Sequence, residues 1–182
     1  MSFDKSLKGN WETFLSEGDK AVEKIMSGLH KRGIRCGKSI STQFGTDEDI
    51  PVYDHNNKKI FWISVKTVYG NIKNPWEDLP KSYKGWMCGE VESKQWIYPP
   101  KIIIWYCLQT NQAWGTITPS RPSKEWIIFP NKHGIVKDIR KSTITKKDEY
   151  IYPSYCVPIN KIMSKEDTIK QIHELSKYLT PP

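Results

Sequence analysis

The amino-acid sequence predicts an α/β (α+β) fold in which helices flank a mixed central sheet. Apolar residues recur at helical spacing from about residue 10 to residue 30, which indicates an amphipathic helix. Short runs rich in Val, Ile, Trp and Tyr follow, separated by Gly, Pro or Asn, as expected for strands and their turns. A second helical pattern lies near residue 170. With no internal repeat, this order of elements is typical of one layered domain.

Length and composition predict a single soluble domain over residues 1–182. The chain has 182 residues, a mass of 21.2 kDa and 37% hydrophobic residues, which is enough for one hydrophobic core. No stretch approaches the roughly 18–20 apolar residues that a membrane helix needs. The first residues lack the apolar core of a secretion signal. We therefore expect a cytoplasmic protein.

The four cysteines, Cys36, Cys88, Cys107 and Cys156, are scattered along the chain. They form no CxxC pair and show no Cys–His spacing of the kind that zinc sites use. In a cytoplasmic protein such residues are usually reduced and often buried. The sequence therefore predicts free thiols.

The net charge of +8 is unevenly distributed. The segment 120–147 holds eight basic residues and two acidic ones. A positive field of this kind favours polyanions such as nucleic acids, although many basic proteins bind none. Charge alone therefore leaves both interpretations open.

The first helix is expected from about Asn10 to His30, with Asn10 as N-cap and Gly33 as the C-terminal stop. Its apolar face consists of Trp11, Phe14, Leu15, Val22, Ile25, Met26 and Leu29. A first strand over 34–44 is predicted to follow it. Two further strands, over 49–54 and 59–67, are predicted to form a hairpin through a turn at 55–58.

Residues 70–100 are punctuated by Pro and Gly, and a short helix fits near Tyr83–Glu92. The apolar run 101–108 predicts a buried strand. Further strands are expected at 113–118 and 125–129, and a broken extended segment at 150–159. A terminal helix should begin at Ser164, which forms a capping-box pattern with Asp167.

The hairpin carries the chemically most informative residues. Because the start of one antiparallel strand faces the end of the next, Asp49 should lie near Ser64 and Lys66, which share a face of their strand. A lysine in an apolar strand is costly unless it is paired or used. A carboxylate beside a lysine suits metal-assisted phosphodiester hydrolysis. The alternatives are a lysine that extends to solvent along an edge strand and a plain turn aspartate.

The pattern Asp49-(x)14-Ser64-Val65-Lys66 resembles the signature of the restriction-endonuclease-like, or PD-(D/E)xK, nuclease superfamily. The resemblance covers roughly residues 10–110 and includes the leading helix and the order of the strands. It implies an αβββαβ core, followed by a basic C-terminal extension over about 111–182 with extra strands and a terminal helix. It also implies cleavage of DNA, less often RNA, with Mg²⁺ or Mn²⁺. Asp49 would bind the metal and Lys66 would position the attacking water or the phosphate.

Ser64 departs from the family pattern, in which Asp or Glu usually occupies that position. The resemblance implies that another carboxylate replaces it, from Glu77, Asp78 or the first-helix residue Glu23. Glu90 and Glu92 are more distant alternatives. Members of the family often cut as homodimers, so a homodimer is one expected state. The basic residues predicted to contact the DNA backbone are Lys38, Arg121, Lys124, Lys137, Arg140 and Lys141.

Three functional interpretations follow from the sequence. The first is a DNA endonuclease of a restriction, phage-defence, mobile-element or repair system. The second is a catalytically inactive protein of the same fold that binds nucleic acid or a protein partner, and Ser64 favours it. The third is a non-nuclease interaction module, such as an immunity or adaptor protein. Aromatic residues among basic ones, including Trp76, Trp86 and Trp114, either stack on bases or pack in the core.

Overall fold

The structure is a computed structural model that describes residues 5–39, 48–81, 83–90, 100–119, 127–137 and 149–178. These residues form two α-helices and seven strands. In chain order they are α1 (Lys5–His30), β1 (Ile50–Tyr53), β2 (Lys59–Val68), β3 (Trp86–Glu90), β4 (Ile102–Cys107), β5 (Gln112–Ile117), β6 (Ile127–Lys137), β7 (Glu149–Val157) and α2 (Lys165–Tyr178).

The strands form two sheets. The first, called the central sheet, has the order β1-β2-β4-β5. It is mixed, because β2 pairs with β4 in parallel while β1–β2 and β4–β5 are antiparallel. The other, called the second sheet, is antiparallel with the order β3-β7-β6. The predicted mixed α+β class with a mixed sheet is therefore confirmed.

Both helices pack on one face of the central sheet, called the helical face. Its core is mainly aliphatic and includes Ile25, Leu29, Ile63, Ile104 and Ile172. Because side chains alternate along a strand, the neighbours of these residues point to the other side.

The other side of the central sheet, called the opposite face, packs against β3, β7 and the segment after β2. Its core includes Trp86, Ile103, Trp105, Trp114 and Val157. The Trp105 indole donates to the Met87 carbonyl at 2.8 Å, which links the two sheets directly. Both faces of the central sheet are thus covered, which explains why β4 is buried along its whole length.

The first helix ends as predicted. Gly33 has a φ of +75°, a conformation that glycine adopts without steric cost. The N–H of Ile34 donates to Leu29 at 3.1 Å and closes the last turn. The helix begins at Lys5, however, one turn or more before the predicted start at Asn10.

The strand predicted over 34–44 is present as an extended segment without a regular ladder. Residues 34–39 run antiparallel to β1, with hydrogen bonds from Tyr53 to Arg35 and from Gly37 to Pro51. A single bridge joins Cys36 to Val52. The remainder of the predicted strand lies outside the described residues.

The hairpin of β1 and β2 is confirmed. The Asp54 carboxylate accepts from the N–H groups of Asn56 and Lys58 at 2.8 and 2.9 Å, and Asn57 has a φ of +60°. These features are those of a tight Asx-stabilised turn. The turn fixes the register Ile50↔Ile63.

The short helix predicted near Tyr83–Glu92 is wrong where the structure describes it. Residues 86–90 form β3, which pairs with β7. Trp86 and Cys88 lie two positions apart and are both buried. Burial of every second residue is typical of a strand and not of a helix. A Cβ on Gly85 would lie 2.2 Å from the Val157 carbonyl oxygen, so glycine permits this close approach.

The remaining elements follow the predicted order. β4, β5 and α2 lie where they were expected, while β6 is longer than the predicted 125–129. The capping box of α2 is present, since the Asp167 N–H donates to the Ser164 hydroxyl at 3.1 Å. The Ser164 hydroxyl in turn donates to the Asp167 carboxylate at 3.0 Å.

Candidate functional site

The Asp49 carboxylate contacts the neighbouring strand of the hairpin, β2. It directly precedes β1, so the register places it opposite Ser64. Its N–H donates to the Ile63 carbonyl at 3.2 Å. Its Oδ2 accepts from the Val65 N–H at 2.6 Å and from the Ser64 hydroxyl at 3.3 Å. Asp49 is therefore fixed against β2 and is not a solvated turn residue.

The three residues of the predicted pattern share one face of the central sheet. Ile63 and Val65 belong to the helical-face core, so Ser64 and Lys66 lie on the opposite face. The Ser64 hydroxyl is completely buried and reaches Asp49 from that face. Lys66 follows two positions along the strand and is half-buried. The structure thus brings Asp49 and Ser64 into contact and sets Lys66 beside them.

Lys66 lies beyond the described pairing of β1 with β2. Its register partner on β4 is Trp105, which is buried, whereas the β1–β2 ladder ends at Ile50↔Ile63. A lysine that extends to solvent on the β1 side of β2 and a phosphate-binding or water-positioning lysine therefore both stay predictions.

Acidic side chains of α1 border the same end of β2. The hydroxyl of Tyr69, directly after β2, donates to Glu17. Burial and this carboxylate raise the pKa of Tyr69 to about 12. Two residues further along α1, Asp19 pairs with Lys38 at 3.0 Å. The contact of Glu17 with Tyr69 was not predicted, because the register of α1 against the sheet cannot be read from helical periodicity.

The other predicted metal ligands lie apart from this contact. Asp78 closes its own turn, since its Oδ2 accepts from the N–H groups of Lys73 and Asn74 at 2.7 and 2.8 Å. These bonds lower the pKa of Asp78. Glu77 is exposed in the same turn. Glu23 is exposed on α1, which packs on the helical face, whereas Ser64 lies on the opposite face.

Three metal-ligating side chains do not converge anywhere in the described residues. Magnesium needs fewer, because it keeps several waters and is often bound by one or two carboxylates together with substrate phosphates. Asp49 is the carboxylate that the described geometry places beside Ser64, so the expected Mg²⁺ or Mn²⁺ site stays a prediction.

The residues predicted to contact DNA are only partly described. Lys38 is engaged with Asp19 in an exposed ion pair. Lys137 ends β6 and is the register partner of Glu149 on β7. Arg121, Lys124, Arg140 and Lys141 lie outside the described residues. Most of the predicted DNA surface therefore stays a prediction.

The described tryptophans include both buried and exposed side chains. Trp86 and Trp114 are buried, and their ring centroids lie 4.6 Å apart. They are therefore core residues and do not present a surface to bases. Trp76 is 42% exposed in the turn that follows β2, and Tyr69 is 44% exposed near it in sequence.

All four cysteines are free. Burial raises the pKa of Cys36 and of Cys156 to about 11 in each case, so both thiols stay protonated near neutral pH. This agrees with the predicted free thiols and assigns no nucleophilic role to these two residues.

Comparison with models of protein families, with curated proteins and with solved structures finds no match to this chain. In the part of the chain that the structure describes, neither helix has the length and apolar character needed to cross a bilayer.

Proposed function

We propose that this chain is a metal-dependent endonuclease that hydrolyses phosphodiester bonds in DNA. The observation that carries the proposal is the contact of the Asp49 carboxylate with Ser64 and Val65, on the strand that also carries the half-buried Lys66. It supports a role for the carboxylate and the amine on one face of the sheet.

The connectivity also supports a restriction-endonuclease-like αβββαβ core. A helix precedes an extended segment and the hairpin of β1 and β2, and β4 then returns parallel to β2. In the described residues the connection between β2 and β4 contains β3 where the family has a helix. The proposed core is therefore a variant in which a second sheet covers one face.

Each residue has a role in the proposed reaction. Asp49, with substrate phosphate oxygens and water as further ligands, would hold Mg²⁺ or Mn²⁺, which polarises the phosphate and activates water when bound. Lys66 would orient the water or offset charge on the phosphate. Ser64 would orient Asp49 through its hydrogen bond and would not itself bind the metal. Glu77 and Asp78 lie in a separate turn, and Glu23 lies on the helix that packs on the helical face.

The DNA would be held by the basic segment 120–147 and by Lys38, which would exchange its exposed pairing with Asp19 for a phosphate. Such exposed pairs contribute little stability, so this exchange is inexpensive. Double-stranded DNA in a cytoplasmic setting, cut by a homodimer, is the substrate and state that we propose.

The test is nicking of supercoiled plasmid by the full chain with Mg²⁺, Mn²⁺ or a chelator. We expect metal-dependent nicking that falls by about 10²–10³-fold in Lys66→Ala and in Asp49→Asn. Lys58→Ala is the matched control, because Lys58 is exposed in the hairpin turn, at the other end of β1 from Asp49. Equal activity in Lys66→Ala and Lys58→Ala would exclude the proposed site.

A catalytically inactive nucleic-acid-binding protein is the second candidate. Two observations favour it: Ser64 occupies the usual carboxylate position, and the described residues contain no cluster of three metal ligands. This candidate predicts salt-dependent DNA binding without nicking under any metal. If the chain neither binds nor nicks DNA, the result would favour the third interpretation, a non-nuclease interaction module.

A further inference from the structure

A cavity of about 320 Å³ lies between α1 and α2 on the helical face. Its floor is formed by Ile104 and Tyr106 of β4 and by Ala113 of β5. The site proposed above lies on the opposite face of the same sheet, so the cavity belongs to a separate part of the molecule. Its volume falls at the lower end of the roughly 300–1,000 Å³ of small-molecule sites.

The cavity exists because small residues face it from the helix. Gly28 lies on the cavity side of α1, and a Cβ placed there would have its nearest neighbour, the Arg32 guanidinium, 3.8 Å away. Ser27 and Ala113 are the other short side chains of the wall. A larger residue at Gly28 would fill this space, and helix propensity would favour it by about 1 kcal/mol.

The rim of the cavity is positively charged. Lys24 lies one turn before Gly28 on α1, and Lys31 and Arg32 follow in the turn after the helix. Lys165 lines the same cavity from the first turn of α2. No Asp or Glu is found among the described residues that line the cavity.

Within the described part of the chain, none of these four cations forms an ion pair with a carboxylate. The Arg32 guanidinium instead donates to the Gly28 carbonyl at 3.0 Å, which holds it over the cavity wall. Like charges around one recess repel each other, and a bound anion relieves that repulsion.

We propose that this cavity binds a small carboxylate with an apolar body, of the size of a medium-chain fatty acid. The apolar part would contact Ile104, Tyr106 and Ala113, and the carboxylate would be placed among the rim cations. The floor of Ile104, Tyr106 and Ala113 offers apolar surface for the body of this ligand, while the polar wall residues Ser27, Asn111 and Thr168 make a nucleotide the contrasting class to test. The proposal does not depend on the nuclease activity.

The first experiment is calorimetric titration of the full chain with octanoate at low salt. We expect saturable binding to one site, and weakening by at least about 10-fold in Gly28→Leu, which fills the cavity. Gly18→Leu is the matched control, because it makes the same change on the same helix where a Cβ meets nothing within 4 Å. Octanoate binding to Gly28→Leu as to the unaltered chain would overturn the proposal.

Two further arms test the charge and the ligand class. Lys24→Glu, at an exposed helix position, should weaken octanoate at least about 10-fold without unfolding the protein, and octanol should bind at least about 10-fold more weakly than octanoate. Adenosine monophosphate is the contrasting probe. Saturable binding of the nucleotide without binding of octanoate, or equal binding of octanol and octanoate, would contradict the proposal.

Discussion

The two faces of the central sheet differ in what their side chains do. On the helical face, the inward residues Phe61, Ile63 and Val65 of β2 are apolar and belong to the core that also includes residues of both helices. On the opposite face, the same strand carries Ser64 and Lys66, and its parallel neighbour carries Trp105. One strand therefore contributes stability through one set of alternate residues and polar chemistry through the other. Substitutions at adjacent positions should separate these two contributions.

The largest effect on stability is expected at Ile63, which is fully buried in the helical-face core. Ile63→Ala should lower the free energy of unfolding by about 2–5 kcal/mol, because it removes buried methylenes and leaves a cavity. Urea unfolding measures the change. Ser64→Ala, one residue away, should cost only about 1 kcal/mol through the lost hydrogen bond to Asp49. A Ser64→Ala cost equal to that of Ile63→Ala would contradict the division between the faces.

The next largest effect is expected at Gly85, on the opposite face. Gly85→Ala should destabilise the protein by about 1–3 kcal/mol, since the added methyl would meet the Val157 carbonyl, a backbone group. Gly115→Ala, where the obstacle is the Thr168 side chain at 2.6 Å, should cost less. Thermal unfolding compares the two. Gly18→Ala is the control, and it should stabilise α1 by about 0.5–1 kcal/mol because nothing lies near the added methyl.

A smaller effect is expected at the start of α2. Ser164→Ala should cost about 1 kcal/mol, because it leaves the Asp167 N–H without its side-chain acceptor. Ser164→Asp supplies another acceptor and should retain most of the stability. Urea midpoints that are the same for the Ala and Asp variants would show that the capping bond contributes nothing.

The smallest effect concerns Tyr69 and appears only in alkali. Its pKa is raised from about 10 to about 12, so the folded state holds the phenol proton more tightly than the unfolded state. The resulting stabilisation is complete below pH 10 and is lost as the pH rises from 10 to 12. Melting temperatures measured across this range should fall less steeply in Tyr69→Phe. Parallel curves for the two proteins would exclude the hydrogen bond to Glu17.

Local sequence signals predicted the elements whose causes are local. The hairpin turn, the Gly33 stop and the Ser164 capping box each depend on residues within five positions, and all three are present. The position of Asp49 opposite Ser64 could also be predicted, because the alternation of side chains along the strands and the length of the turn fix the register of the hairpin. This part of the candidate site could therefore be placed from the sequence.

The parts that were missed depend on distant packing. Residues 86–90 form a strand because β7, some 70 residues later, offers a partner, and local Gly and Pro signals carry no trace of it. Glu17 approaches Tyr69 because of how α1 lies across the sheet. The periodicity of α1 identified its buried stripe but not its position along the strands.

β2 joins its two neighbours over very different distances along the chain. The turn at 54–58 lets β1 meet it early in folding, whereas β4 can pair with it only after residues 69–101 have closed a long crossover. Parallel pairing of this kind has a high contact order and is slow. Lys66 and Trp105 should therefore become neighbours late during refolding, after the hairpin with Asp49 has already formed. Any intermediate at that stage would expose an unpaired edge of β2 and would be prone to aggregate.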